Sequence, residues 1–197
     1  MFRSIGYNLK HLLDFKGRDG RTVFWFYFLF VVLLNVIILI ATVAPAFLSI
    51  IGEIAATGAQ TGNSAALEAA ALEKMIGIGL PTTLVKTSLA IAAMNIILLS
   101  ASFVRRAHDS GLPGMLLVIP LGLQLVWMYF SYSQLGGLDK TMRAAIEARE
   151  ANLETGVQVG MIAQDLLGWL AVLIVIVIGI LKTQQGSNQY GEAAQQL

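Results

Sequence analysis

Eight residues in three short motifs carry the groups best suited to ionic chemistry. Arg18 and Arg21 stand in Gly17-Arg18-Asp19-Gly20-Arg21. Arg105, Arg106, His108 and Asp109 form Arg105-Arg106-Ala107-His108-Asp109, and Asn188 and Tyr190 lie in Asn188-Gln189-Tyr190-Gly191. Guanidinium groups grip phosphates and carboxylates through paired N–H donors, so the first two motifs suit an anion site or a set of buried ion pairs. Nucleophilic catalysis fits the pattern poorly. His108 and Asp109 are adjacent, so their side chains point apart on a helix or turn, and no serine is tied to them. Ser110 reads as a turn residue before Gly111. Two histidines, His11 and His108, with no cysteine at all, make no metal-ligand set. No metal or other cofactor is expected, and the chain reads as a non-enzyme.

The elements that position these groups are hydrophobic. The chain has 197 residues, 56% hydrophobic and 13% charged, where a soluble domain carries about 25% charge. Mean hydropathy is +0.72. This composition excludes an ordinary soluble domain, a disordered chain and a nucleic-acid binder. Thr22 to Gly52 holds no Asp, Glu, Lys or Arg, and further uncharged runs cover Thr87 to Val104, Ser110 to Leu138 and Leu166 to Leu181. A crossing helix needs about 20 apolar residues, and in lipid the backbone must satisfy its own polar groups. The expectation is an all-α membrane protein with four transmembrane helices, at about 23–47, 81–104, 114–133 and 162–181. The apolar run before Ala44-Pro45-Ala46 is too long for a signal peptide and reads as an uncleaved anchor.

Charge sets the expected orientation. Of the thirteen Lys and Arg, eight (Arg3, Lys10, Lys16, Arg18, Arg21, Arg105, Arg106 and Lys182) fall on the side holding both termini. Eight of the twelve acids fall on the other side. Both termini are therefore expected in the cytoplasm. Segment 1–21 is read as a cytoplasmic amphipathic stretch, with Phe2, Ile5, Leu9, Leu12 and Leu13 at helical spacing. It either lies in the membrane interface or packs beneath the bundle. Phe24 to Phe28, with Phe30, is read as an aromatic anchor at the first span. The outer segments are about 48–80 and 134–161, and the tail is 182–197. Thr57 to Ser64 reads as loop, Ser64 as a helix cap, and the charged helix after Gly137 puts Met142, Ile146 and Leu153 on one side. No repeat or domain boundary is apparent, so 1–197 reads as a single membrane domain.

The three motifs together resemble one family. Gly17-Arg18-x-x-Arg21-x-x-Phe24-Trp25, then Arg105-Arg106-Ala107-His108-Asp109-x-Gly111 with Gly114, then Asn188-x-Tyr190-Gly191 look like the DUF805 family of bacterial inner-membrane proteins. Members carry a GRxxRxxFW start, an RRLHDxGxSGW turn between helices and a terminal NxYG. Ala107, Pro113 and Met115 stand where that pattern has Leu, Ser and Trp. The resemblance covers most of the chain. It implies a four-helix protein of the bacterial inner membrane, and no assigned activity.

Four crossings bring all three motifs to one cytoplasmic cap, of which two readings stand. In one, Arg18, Arg21, Arg105 and Arg106 surround an anion such as a lipid phosphate, oriented by His108 and Asp109. In the other the cap is a latch: Asp109 pairs with an arginine, His108 bonds a backbone carbonyl, and Asn188 and Tyr190 tie down the tail. Depth arithmetic adds a second cluster. Asn35, Asn95 and Gln124 lie roughly 18, 14 and 15 Å from the inner ends of their spans, at 1.5 Å per residue. They are read as one mid-membrane layer of interhelical hydrogen bonds. The fourth span supplies no amide and is read as facing lipid or a partner. The expected function is a non-enzymatic membrane scaffold or accessory protein acting through lipid and protein contacts. The expected partners are membrane lipids, anionic ones among them, another membrane protein or a second copy, and no nucleic acid. The rival readings are an oligomeric small-solute transporter or channel using the amide layer, and an enzyme on lipid-linked substrates at the cap.

Overall fold

The computed structural model describes residues 1–150 and 157–193. Seven α-helices and one short 3-10 turn make up the described residues: α1 (Phe2–Lys10), α2 (Arg21–Thr61), α3 (Ser64–Gly77), α4 (Leu80–Asp109), the 3-10 turn Gly114–Leu117, α5 (Val118–Gln134), α6 (Leu138–Glu150) and α7 (Val157–Ile180). Among these residues there is no sheet, only an isolated bridge between Asn188 and Gly191. Three stretches, Arg21–Gln60, Leu80–Asp109 and Gly114–Gln134, are long and apolar enough to cross a membrane, and Gln164–Ile180 is a shorter apolar helix. Several such helices mark a multi-pass membrane protein.

The boundaries differ from the sequence reading in ways that have local causes. The first helix does not stop at 47. It runs on to Thr61 through Pro45, because Ala- and Ile-rich sequence follows and a membrane helix tolerates a proline whose freed carbonyl is satisfied elsewhere. At 41 residues it is about 60 Å long, twice the hydrocarbon thickness. The expected loop at 57–64 shrinks to Gly62-Asn63. Asn63, not Ser64, caps α3, its Oδ1 accepting from the Ala65 N–H at 3.0 Å. The Arg105–Asp109 motif is not a loop but the last turns of α4. The third apolar run opens on a 3-10 turn, and α7 begins at Val157, ahead of the expected 162. The side chain of Ile146 and residue Leu153 lie outside the described residues.

By contact the chain forms two compact units. One comprises Met1–Asn35, Ile91–Tyr129 and Ile162–Leu197; the other comprises Val36–Ala90 and Phe130–Met161. The divisions fall inside α2, α4, α5 and α7 rather than at linkers. The second unit holds the ion pair Lys74–Glu53 at 3.2 Å and the hydrogen bond from Thr82 Oγ1 to Asp139 at 3.1 Å. The first holds all three motifs. Its core joins Phe103, Val104 and Ala107 of α4 to Ile178 of α7, with Leu112 and Leu116 packed on them. Phe24 and Tyr27, read from sequence as part of an aromatic anchor, are 1% exposed. The Tyr27 hydroxyl donates to the Leu98 carbonyl at 3.0 Å, joining α2 to α4. Gly179 on α7 makes room for Phe24: a Cβ there would sit 2.7 Å from the Phe24 ring, so the glycine admits the aromatic edge. α7 is thus packed into the unit on one side, and Leu166, Trp169, Leu170, Leu173, Val177 and Ile180 form its exposed stripe.

Candidate functional site

The end of α4 sets the geometry of the cap. Gly111 adopts φ +77°, its N–H bonds the His108 carbonyl at 3.0 Å, and the Leu112 N–H bonds the Ala107 carbonyl at 2.9 Å. This is a Schellman ending, and Leu112 completes it by packing on the α4 core. The helix therefore stops with Ser102, Arg105, Arg106 and Asp109 all buried. Spacing of three residues aligns Arg106 with Asp109 and Ser102 with Arg105.

Each of three arginines gathers one part of the chain. Arg105 holds α1: it donates to the carbonyls of His11 (2.9 Å) and Asp14 and to Asn8 Oδ1 (2.6 Å), and it lies over the Tyr7 ring. Its Nε faces Asp19 at 3.1 Å. Arg106 holds the end of α7, donating to the carbonyls of Gly179 and Leu181 and to Asp109 Oδ2 at 2.6 Å. Arg18 holds the tail, donating to the carbonyls of Gly186 and Gln184 at 2.6 Å each and to Asp109 Oδ1 at 3.1 Å. The five charged side chains of these pairs are at most 1% exposed. Three buried guanidiniums face two carboxylates. The remaining positive charge is met by carbonyl oxygens at the C-terminal ends of α1 and α7, where the helix dipole favours a cation.

The tail is fastened by side chains as well. His108 stacks on Tyr190 with ring centroids 3.9 Å apart, and its Nδ1–H donates to the Gly17 carbonyl at 3.3 Å. Asn188 Nδ2 donates to the His108 carbonyl at 2.9 Å, and its Oδ1 accepts from the Tyr190 N–H. Backbone bonds join Gln184 N–H to Asp109 and Asp19 N–H to Arg105. Burial pushes the Asp19 carboxyl up, against the opposing pull of Arg105 and the Ser102 hydroxyl. Burial holds the His108 imidazole below its ordinary range.

The structure brings together Arg18, Arg105, Arg106, His108, Asp109, Asn188 and Tyr190. Arg21 stands apart: it is exposed and forms no ion pair among the described residues. Sequence reasoning missed Asn8, Ser102, Gln184 and the full role of Asp19. Asn8 had a signal, since it follows Ser4 by one turn on the polar side of α1 and both are buried.

α1 is oriented polar side inward. Ser4 and Asn8 face the protein, whereas Phe2 is 81% and Leu13 82% exposed. The segment is thus docked on the first unit through its polar side, with Ile5 and Leu12 half-buried and Phe2, Leu9 and Leu13 exposed.

The amide layer also departs from expectation. Asn35, Asn95 and Gln124 do line one cavity in the first unit, of about 170 Å3. The interhelical bonds expected of them are absent: the Oδ1 atoms of Asn35 and Asn95 are buried without a hydrogen-bond partner among the described residues. Ala171, Val172 and Val175 of α7 complete the wall, so the fourth apolar helix does contribute to this layer. No group of three His, Cys, Asp or Glu among the described residues is placed to hold a metal.

No curated protein and no solved structure matches the chain. A family model described as "Protein of unknown function (DUF805)" matches residues 12–192, a range that holds all three motifs of the cap. The protein therefore belongs to the DUF805 family.

Proposed function

We propose that this protein is a non-enzymatic integral membrane scaffold or accessory protein of the bacterial inner membrane. It crosses four times with both termini in the cytoplasm, and the cap is a structural latch. The supporting observation is where the arginine donors go. Arg18, Arg105 and Arg106 direct theirs to Asp109, Asn8 and seven backbone carbonyls within the chain, and Arg105 forms an ion pair with Asp19. An anion site needs free donors, and an acid–base site needs a group open to substrate. The same latch carries α1, whose outward Phe2 and Leu9, with Leu13 in the turn that follows, suit immersion in the inner leaflet beside Arg3 and Lys10. Partner contacts fall to the exposed stripe of α7.

Two measurements test this. Reporter fusions at Gly137 and at the C-terminus are expected on opposite sides of the membrane; a shared side removes the fourth crossing. Photo-crosslinkers at Trp169 and Leu173 in native membranes are expected to capture one defined protein, a different chain or a second copy. Crosslinks to lipid alone overturn the scaffold reading.

A further inference from the structure

Three of the arginines expected from sequence to meet an anion are already occupied. Arg18, Arg105 and Arg106 are buried and direct their donors into the latch. The bases left to the outside lie on α1 and just after it. Arg3, Lys10 and Lys16 are exposed, and none of them joins an ion pair among the described residues. Asp14 is the one acid among residues 1–18, and its Oδ1 accepts the Lys16 backbone N–H at 3.0 Å.

Rotation about α1 sorts these groups into strips. At about 100° per residue, Phe2 and Leu9 lie roughly 130° round from the docked Ser4 and Asn8 in one direction, and Arg3 and Lys10 roughly 130° in the other. Gly6 falls between the two strips, opposite the docked side. Phe2 is 81% and Leu9 41% exposed. Arg105, bonded to Asn8 and to the His11 carbonyl, fixes this rotation, so both strips are oriented before any ligand arrives.

We infer that this face of α1 binds anionic phospholipid: the apolar strip enters the acyl region, and Arg3, Lys10 and Lys16 meet the headgroups. The inference rests on the reading that α1 lies in the lipid interface, and adds which lipid it selects. A basic strip flanking an apolar one lets long cationic side chains reach back to headgroup level while their neighbours stay immersed. A bilayer of neutral lipid accommodates Phe2 and Leu9 but offers the three bases no net counter-charge, and a soluble anion does the reverse. An anionic leaflet answers both.

The chain has no cysteine, and a Cβ at Gly6 meets nothing within 4 Å, so Gly6→Cys carries a bimane label between the strips. The full labelled chain goes into vesicles of equal phosphatidylglycerol and phosphatidylcholine, in which one lipid or the other bears a nitroxide on its acyl chain. Quenching by labelled phosphatidylglycerol is expected to exceed that by labelled phosphatidylcholine about fivefold at low salt, the effect of one base at an anionic surface. In about 1 M salt, which screens charges beyond about 3 Å, the ratio should fall toward one. Arg3→Gln with Lys10→Gln and Lys16→Gln should bring it to one at low salt and leave Tm in detergent unchanged. Should the triple variant fail to fold, the salt series on the parent chain decides: a preference indifferent to salt overturns the proposal. Equal quenching by the two lipids overturns the selectivity and leaves α1 in the interface. Quenching by neither overturns the interfacial reading as well. A preference that survives in the folded triple variant places the anion contact elsewhere and overturns the proposal too.

Discussion

Asp109 shows how much rests on single groups in the cap. Its two oxygens receive Arg18 and Arg106, and its side chain is fully buried. Removing one member of a buried pair leaves the other charge without compensation, at about 3–5 kcal/mol. Asp109→Ala strands two guanidiniums and is expected to lower stability at least that much, read as loss of folded protein on thermal unfolding in detergent. Gly114 is a second sensitive point. A Cβ there meets Val104 Cγ1 at 2.6 Å and His108 Nε2 at 2.9 Å. Val104 is buried in the packed last turns of α4, so it has little room to withdraw, and Gly114→Ala should cost about 1–3 kcal/mol by overpacking. Protonation supplies a third prediction. Burial lowers the His108 pKa, so the folded state resists a proton that the unfolded chain accepts near pH 6.5. Stability from this group is therefore full above that pH and lost as pH falls below it. Asp19, raised by burial, acts in the opposite sense. Comparing the pH dependence of Tm in wild type and His108→Gln isolates the imidazole, and the variant should show the shallower fall between pH 7 and 5.5.

At the scale of elements, α1 is the instructive case. Its apolar stripe at 2, 5, 9, 12 and 13 was plain in the sequence, because helical periodicity is a local property. Which side meets the protein was not, because that depends on Arg105, 97 positions from Asn8. A polar face docks by specific bonds and leaves Phe2, Leu9 and Leu13 exposed. Asn8→Ala should release α1 from Arg105 at a cost of about 1–3 kcal/mol, seen as faster proteolysis after Lys10 with the long helices intact. Phe2→Ser with Leu13→Ser should leave thermal stability in detergent unchanged, since both residues are exposed, yet weaken quenching of a probe on α1 by brominated lipid. If that pair destabilises the fold instead, the stripe is part of the core. α7 teaches a related point: its lack of amides suggested a helix facing lipid or a partner, and it does keep an exposed stripe, yet its other side buries Ala171 and Ile178. Packing depended on shape, through Gly179 and the Phe24 ring, which hydropathy does not register.

For the whole molecule, the latch makes distant segments depend on one another. Arg18 bonds residues 166 and 168 positions away, contacts whose loop-closure entropy must be offset by buried charge pairing. Truncation after Gln184 removes the Gly186 carbonyl, the Asn188 amide and the Tyr190 ring from Arg18 and His108. It is expected to raise hydrogen exchange at residues 15–19 and near His108 while leaving α3 and α6 unchanged. Uniform protection after truncation would mean that the tail is an ornament to the cap rather than a part of it.

The sequence by itself determined that the chain is helical and built from long apolar segments, and that its arginine, histidine and asparagine motifs belong to one family pattern. Those properties are set by composition and local spacing. Tertiary structure decided the pairings: Asp109 between two arginines, Asn8 as a ligand of Arg105, and the polar side of α1 turned inward. It also left Asn35 and Asn95 beside one cavity instead of bonded to each other. Equal depth in two helices is a matter of counting residues along each. Whether two side chains meet depends on rotation about both helix axes, and packing across the whole unit fixes that angle.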